Sequence, residues 1–441
     1  MKHLYVHIPF CRSRCAYCDF ASEPIAPHAR EGRVAEYVGA LRTELAERAG
    51  TRTFETIYLG GGTPTVLPGE LLTDLVRRLA SRLDRSGGAP EFTIEANPGT
   101  IDRPLLERLA AEGVTRLSLG VQSFGPALRA ALGRRVAQEE IVDALAAIAA
   151  VGWQEWNLDL VFGIPGQTWD DARADLDTAV AAAPSHMSLY DLTYTPAFSA
   201  RVETTLGAGA RRAAGAFAEE HYAGAVARLQ SAGYRRYEVS NFALPGHECR
   251  HNQAYWRGED YLGVGASAVS TVGLVPTPGV GASAVSTVGL VPTPGVGASA
   301  VSTLTVAAPE RTGAATVGAP SPGAPHSGGA SFAAGAPLAV SGPAAERRTN
   351  PCSVAGYLAG EAPRIEVLSP VTRLWERAML GLRTTEGVDE SSVLAVLDPE
   401  ARDRLLAQGC LERRYGKLRL NPGFLDISNA VIGALLADPG E

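Results

Sequence analysis

Cysteine is scarce in this chain. Six cysteines in 441 residues are too few for a disulfide-stapled secreted domain; a chain without a leader segment is expected, and with it a cytoplasmic protein with reduced thiols. Long hydrophobic runs are missing as well: none reaches the length that spans a bilayer. The longest stretch without charge, Gly263 to Pro309, is broken throughout by Gly, Pro, Ser and Thr and cannot hold a continuous helix in lipid. A transmembrane segment is excluded on that reading; peripheral contact with a membrane surface is not. Positive charge is not in excess either. A formal net charge of −7 without a basic patch argues against nucleic acid as a partner, since binding there runs on Lys and Arg. What remains is an ordinary globular composition, 46% hydrophobic and 20% charged, long enough for two domains and a large core.

Three of the scarce cysteines are crowded together. Cys11, Cys15 and Cys18 fall within the run HIPFCRSRCAYCDF, spaced by three residues and then by two. Thiolates are the soft ligands that hold iron–sulfur clusters, and three of them bind three irons of a [4Fe–4S] cluster while leaving the fourth open to a non-protein ligand. Zinc is the competing reading, but a structural zinc site closes with four ligands, usually as two CxxC halves. No second pair exists, because Cys249, Cys352 and Cys410 are isolated.

From the N-terminus, short β-branched runs alternate with helical patterns. Strands are expected at Leu4–Ile8, Thr56–Leu59, Glu91–Ala96, Arg116–Val121, Trp156–Phe162 and Met187–Leu192. Helices are expected at Arg33–Arg48, Glu70–Leu83, Pro104–Glu112, Glu139–Ala150, Asp170–Ala182 and Ala214–Ala232. Six βα units predict a parallel sheet curled into a full or partial barrel. Polar residues interrupt the pattern at strand C-termini: Gly60-Gly61-Gly62-Thr63-Pro64 after the second strand, Glu95 with Asn97-Pro98 at the third, Gln122 at the fourth, Asp159 inside the fifth. That end of a parallel barrel is where ligands bind, and the cysteine loop shares it. Each feature has a plain alternative: a glycine triplet is often only a turn, and a lone carboxylate is usually solvated. Inside an apolar strand, however, an unpaired charge costs several kcal/mol, so Glu95 and Asp159 call for a polar ligand or an Arg partner. Arg134 beside Arg135 reads equally well as a solvated charge.

The run HIPFCRSRCAYCDF resembles the cluster loop of radical S-adenosylmethionine (SAM) enzymes, and within them the oxygen-independent coproporphyrinogen III oxidase family. The oxidases of that family carry a further cysteine two positions after the third; here it is Phe20, the pattern of the HemW branch of heme chaperones. The resemblance covers Leu4 to about Thr271 and resumes in the C-terminal region. It implies a six-unit (β/α) partial barrel holding a [4Fe–4S] cluster on Cys11, Cys15 and Cys18. It places SAM against Gly61, Gly62 and Thr63, with Tyr5, Tyr17, Glu95, Gln122, Arg134 and Asp159 as further contacts. The chemistry agrees, since SAM presents an amine, a carboxylate and ribose hydroxyls. It also assigns the HNxxY run of His251, Asn252 and Tyr255 to heme binding. A lone His beside aromatics is usually a packing residue, so the heme role rests on the resemblance.

An extended segment is expected at Tyr234–Phe242. Then 263–278 reads GVGASAVSTVGLVPTP, 279–294 repeats it unchanged, and 295–303 begins a third copy. Two and a half copies are too few for a solenoid. The sequence does not choose among the copies, although the first follows most directly from Tyr261-Leu262. Leu304 to Ala345 is rich in Ala, Gly, Pro and Ser with one aromatic, Phe332, a composition that cannot offset its ordering entropy. The chain therefore divides into a core barrel (1–262), a repeat and low-complexity insertion (263–346, of which 279–346 is expected to be mostly disordered), and a C-terminal domain (347–441). The last opens with Arg348, Asn350 and Tyr357, which match the family. Helices at Pro370–Leu382, Ser391–Val396, Pro399–Gln408 and Asn429–Leu436 around a hairpin, Cys410–Arg414 with Lys417–Leu420, suggest a small winged-helix-like module. Its acidic residues disfavour DNA.

The implied function is heme trafficking: a chaperone with cluster and SAM that hands heme to acceptor haemoproteins, those of a respiratory chain among them. The alternative is an enzyme, the coproporphyrinogen III oxidase of porphyrin biosynthesis. A third reading is a module in which cluster and SAM only regulate binding.

Overall fold

The computed structural model describes residues 1–25, 30–273 and 345–436. Its elements run β1 (His3–Ile8), β2 (Phe10–Cys11), β3 (Glu23–Pro24), α1 (Arg30–Ala49), β4 (Thr56–Gly61), α2 (Gly69–Ala80), β5 (Glu91–Ala96), α3 (Arg103–Ala111), β6 (Arg116–Gln122), α4 (Pro126–Ala131), α5 (Gln138–Val151), β7 (Trp156–Phe162), α6 (Trp169–Ala181), β8 (His186–Asp191), α7 (Pro196–Leu206) and α8 (Ala210–Ser231). Then follow β9 (Arg235–Arg236), β10 (Asn241–Ala243), α9 (Arg250–Trp256), β11 (Tyr261–Val264), β12 (Val269–Gly273), β13 (Ala345–Thr349), α10 (Val354–Leu358) and β14 (Arg364–Leu368). The C-terminal module comprises α11 (Pro370–Gly381), β15 (Val388–Asp389), α12 (Glu390–Val393), α13 (Pro399–Ala407), β16 (Leu411–Arg414), β17 (Lys417–Leu420) and α14 (Ser428–Leu435).

The six expected βα strands, β1 and β4 to β8, lie side by side in chain order and parallel. The sheet then continues past both ends and does not close on itself. On one side β11 adds parallel to β1, followed by antiparallel β12, β13 and β14; on the other, β10 and β9 add antiparallel to β8. The segment expected to be one extended run at 234–242 is thus two short strands separated by a turn. The helix expected after β8 is two, α7 and α8. Local signals set the helix starts: Asp102 accepts from the Leu105 amide at 2.8 Å, and Thr168 with Asp171 forms a reciprocal cap.

The parallel strands alternate. Leu4, Val6 and Ile8 on β1, Ile57 and Leu59 on β4, and Leu158, Leu160 and Phe162 on β7 are buried in the main core under the helices. The intervening residues face the other way and are polar: His3, Tyr5 and His7; Thr56 and Tyr58; Glu91, Thr93 and Glu95; Asn157 and Asp159; His186, Ser188 and Tyr190. A parallel sheet covered on both faces reads as continuously apolar. Here one face is apolar core and the other, concave face is polar. That concave face positions the site.

The segment set apart as 263–346 begins and ends inside the sheet, which corrects its boundaries. Gly263 and Val264 belong to β11, Val269–Gly273 forms β12, and Ala345 and Glu346 open β13, paired from Gly273↔Ala345 to Val269↔Thr349. The first repeat copy is therefore the one in the sheet. The other copies, Phe332 and the expected disorder fall at 274–344, outside the described residues. The first copy is held by Glu44, which accepts from the Gly265 amide, Asn350 Nδ2 and Tyr357 Oη at 2.8, 2.7 and 2.7 Å. Gly265 has φ +98°, and a side chain there would run into the His7 carbonyl and Tyr37 hydroxyl.

The C-terminal module has its own core around Leu382, Val393, Leu418 and Leu435. Its three strands order as β15-β17-β16 beside α11, α13 and α14, the winged-helix-like arrangement expected. It meets the barrel where Glu238 bridges Thr384 and the Thr385 amide donates to the Tyr237 carbonyl at 2.9 Å.

Candidate functional site

The cysteine loop leaves the C-terminal end of β1 and is clamped from two sides. The β2–β3 pair holds its flanks through Phe10↔Glu23 and Cys11↔Pro24. On the other side the Ala16 amide donates to the Leu132 carbonyl at 3.0 Å, and Tyr17 packs with the small cluster of Leu128, Leu132 and Ile164. Cys11, Cys15 and Cys18 are free and half-buried. Burial raises the Cys11 and Cys18 thiols, and hydrogen bonds oppose that: Thr63 donates to Cys11, and the Phe20 amide donates to Cys18. The Thr63 hydroxyl lies 3.6 Å from Cys11 Sγ and an Arg134 nitrogen 3.7 Å from Cys15 Sγ. Among the described residues no three His, Cys, Asp or Glu side chains converge on a single-ion site. Three thiols on one loop match the ligand count of a four-iron cubane that keeps one iron open.

The glycine triplet lies beside this loop. Gly61 has φ +111°, with the His7 imidazole against the position a side chain would take. Gly60 is backed by the Glu95 carboxylate and Gly62 by the Phe10 backbone. The Gly61 amide donates to Glu95 Oε2 at 2.9 Å and Tyr58 Oη to Glu95 Oε1 at 2.7 Å. Burial pushes the Glu95 carboxyl up to about 7 despite those two donors. Asp159, two strands further along the sheet, is pushed up to about 6 by burial, opposed by Asn157, Ser188 and Arg134. The Asn157 amide donates to it at 2.7 Å. Arg134 is not the solvated charge the sequence allowed: it is buried, bonded to Asn97 Oδ1 at 2.6 Å and to the Gly120 carbonyl, with its Nε lacking any protein partner. Gln122 ends β6 at a register shift, with φ +74°. A non-glycine residue held in the left-handed region is a strained position of the kind that clusters at ligand sites.

Tyr5 Oη donates to His7 Nδ1 at 2.9 Å. The assignment follows from the other ring nitrogen, which must carry the proton because it bonds the Ala21 carbonyl at 2.8 Å. Tyr5, Tyr17, Gly61, Gly62, Thr63, Glu95, Gln122, Arg134 and Asp159 therefore share the mouth with the cysteines.

His251, Asn252 and Tyr255 do not. They lie on α9 under the opposite end of the strands. His251 Nδ1 bonds Thr56 Oγ1 at 2.7 Å, and Thr56 in turn bonds His3 at 2.9 Å. Both partners are first residues of their strands, and His3 and Ile8 stand five residue steps apart along β1, about 17 Å. His251 is 1% exposed, stacked on Tyr58 with ring centroids 5.2 Å apart and edge-on to Tyr255 at 5.0 Å. Its Nε2 has no partner, and the space between it, His3, Tyr255 and Tyr261 has no room for a water molecule. Burial lowers its pKa to about 3, so the ring is neutral.

Sequence reasoning passed over several residues of the concave face. Asn97 stood in the Asn97-Pro98 turn but was given no role. Tyr58, Asn157 and His186 were visible only as polar members of alternating strands. Glu238 and Asn241 each leave a buried oxygen without a protein partner, and nothing in their sequence context marks them.

Comparison with known proteins agrees with this geometry. The Radical SAM superfamily model matches residues 5–179. A heme chaperone HemW of Synechocystis is 40% identical over 281 residues, 61% of this chain and 65% of that protein. Those of Escherichia coli and Bacillus subtilis are 38% and 35% identical over 272 and 279 residues, 68% and 72% of their lengths. The chain thus matches about two thirds of those relatives. The coproporphyrinogen III oxidase HemN of E. coli superposes with a TM-score of 0.67, covering 98% of this chain and 89% of that one at 20% identity, which shows the shared fold. Membership of the superfamily implies a [4Fe–4S] cluster and SAM. The chain belongs to the radical SAM superfamily, in the family of the heme chaperone HemW.

Proposed function

We propose that this chain is a heme-trafficking protein that binds heme and passes it to acceptor haemoproteins, using a [4Fe–4S] cluster on Cys11, Cys15 and Cys18 with SAM bound beside it. The observation that carries the proposal is the mouth itself, where three free thiols, two of them hydrogen-bonded at sulfur by Thr63 and Arg134, face two half-buried carboxylates. The donor set fits the groups. SAM brings a cationic amine and sulfonium, a carboxylate and ribose hydroxyls; Glu95 and Asp159 supply acceptors, and the unpartnered Arg134 Nε supplies a donor. Gly61 and Gly62 let this turn close on His7 and the Phe10 backbone, which brings it against the cysteine loop. Together, reduced cluster and SAM supply a one-electron cleavage of the sulfonium. The chain's own residues do the rest: Glu95 is held by Tyr58 and Gly61, Asp159 by Asn157, and Tyr5 by His7, so each acceptor is oriented before a ligand arrives.

Two features favour a carrier over an oxidase. Where the related oxidases have a further cysteine, this chain presents Phe20, 64% exposed on the loop. The second is the HNxxY run. We assign the axial-ligand role to His251 through its neutral, unpartnered Nε2, with Asn252 and Tyr255 as its supports. Because that nitrogen is enclosed, α9 has to swing from the barrel base for heme to reach it.

Iron and sulfide analysis tests the cluster. The anaerobically reconstituted chain should bind about four irons and four sulfides, and the triple variant Cys11→Ala, Cys15→Ala, Cys18→Ala should bind none, whereas Cys249→Ala or Cys352→Ala should bind the full complement. No coproporphyrinogen decarboxylation is expected with SAM and reductant. Robust turnover would replace the carrier reading with the oxidase.

A further inference from the structure

The hydrogen bonds to sulfur at the mouth are joined by a residue that the roles assigned so far do not use. Asn97 lies in the turn after β5 and bonds in two directions. Its Nδ2 donates to Thr63 Oγ1 at 2.6 Å, and its Oδ1 accepts from Arg134 at 2.6 Å. Beyond those partners stand two sulfurs, Cys11 Sγ 3.6 Å from the Thr63 hydroxyl and Cys15 Sγ 3.7 Å from Arg134. The direction of each bond is fixed. Arg134 can only donate, so the amide oxygen must face it; the amide nitrogen then faces Thr63 and occupies the hydroxyl's acceptor side. The hydroxyl proton is left to point at Cys11. The chain is rigid at both ends: the Thr63 amide is anchored on the Phe10 carbonyl at 2.7 Å, and Arg134 also bonds the Gly120 carbonyl. A side chain at Gly120 would meet Asn97 Oδ1 at 2.8 Å, so this strand gives way to the amide.

We propose that Asn97 is a positioning residue for the cluster, one amide that aims a neutral donor at Cys11 and a cationic donor at Cys15 and thereby sets the cluster's reduction potential. Hydrogen bonds to cluster sulfur draw electron density from the thiolate and favour the reduced, more negative state. The two donors are coupled through Asn97, so neither is independent of it. Arg134 consequently has a role toward the cluster that precedes its role toward SAM. The inference rests on the proposed cluster site, and its test is arranged to separate the two.

The full chain is reconstituted anaerobically, its iron and sulfide are counted, and the cluster is titrated against potential without SAM, followed by absorption and electron paramagnetic resonance. Asn97→Ala should retain four irons and show a potential lower by at least a tenfold change in the one-electron constant, about 59 mV. Thr63→Val should lower it by less, and adding Thr63→Val to Asn97→Ala should produce little further change. Asn97→Asp preserves shape for the case in which the alanine variant fails to fold. Its carboxylate takes the Thr63 proton and keeps Arg134, so the potential should fall by the amount seen in Thr63→Val. A wild-type potential in Asn97→Ala and Asn97→Asp, each with a full cluster, overturns the inference. A wild-type chain that takes up no iron overturns the cluster site and the inference with it.

Discussion

At the scale of single residues, the mouth presents half-buried carboxylates that suit the proposed cationic ligand. Glu95 and Asp159 have carboxyls pushed up to about 7 and about 6, in both cases chiefly by burial. In the unfolded chain they ionise near 4. The ligand-free fold therefore binds protons more tightly than the unfolded chain, and these two groups make it less stable as pH rises from about 4 through 7. SAM, carrying an amine and a sulfonium, binds better once they are ionised. Its affinity should increase from pH 5.5 to 8 by calorimetry, and Asp159→Asn should flatten that rise and weaken binding by about 2–5 kcal/mol, with iron content unchanged. A pH-independent affinity in the wild-type chain would place SAM away from both carboxylates. The cysteines were readable because their spacing is itself the signal. The surroundings of Arg134 and His251 were not: neither the Asn97 partner nor the Thr56 and Tyr58 enclosure has any signature in the neighbouring sequence.

At the scale of elements, the strands were legible and one of their faces was not fully used. Six parallel strands follow from the βα alternation, yet the period-two pattern in HLYVHI, EFTIEA and NLDLVF also marks a sheet whose concave face is polar along its whole length, not only where a carboxylate interrupts it. The register of β11 to β14 could not be read, because β12 pairs with β13 across 71 intervening residues, 274 to 344. The repeat made this harder, since identical copies carry identical local preferences and only tertiary contacts to Glu44 and Tyr37 distinguish the first. Deleting 279–340 should leave the melting temperature and iron content near wild type, because loop closure costs little more or less over such lengths. Extending the deletion to Thr349 removes β13 and should abolish cooperative folding. A large loss from the shorter deletion would show that the repeats pack on the described fold.

At the scale of the whole molecule, two ends of one barrel hold two kinds of chemistry. The mouth gathers the thiols, the glycine triplet and the acceptors, while the base encloses His251 under α9, where Glu91 accepts from the Arg250 and His251 amides. The C-terminal module touches the base side: α11 packs on α9, and Arg257 on the same segment pairs with Glu386 at 2.9 Å. The opening of α9 proposed for heme entry would therefore work against that module. Arg257→Glu should loosen the contact and speed heme uptake measured by stopped-flow absorbance; an unchanged rate would mean that heme enters elsewhere. The central claim, that this chain carries heme, is tested most directly by titrating the anaerobically reconstituted full chain with heme and following the Soret band, alongside His251→Ala. Saturation at one heme per chain is expected, with a Soret band shifted or weakened in the variant. No saturable binding in the wild-type chain, with its cluster intact, would contradict it.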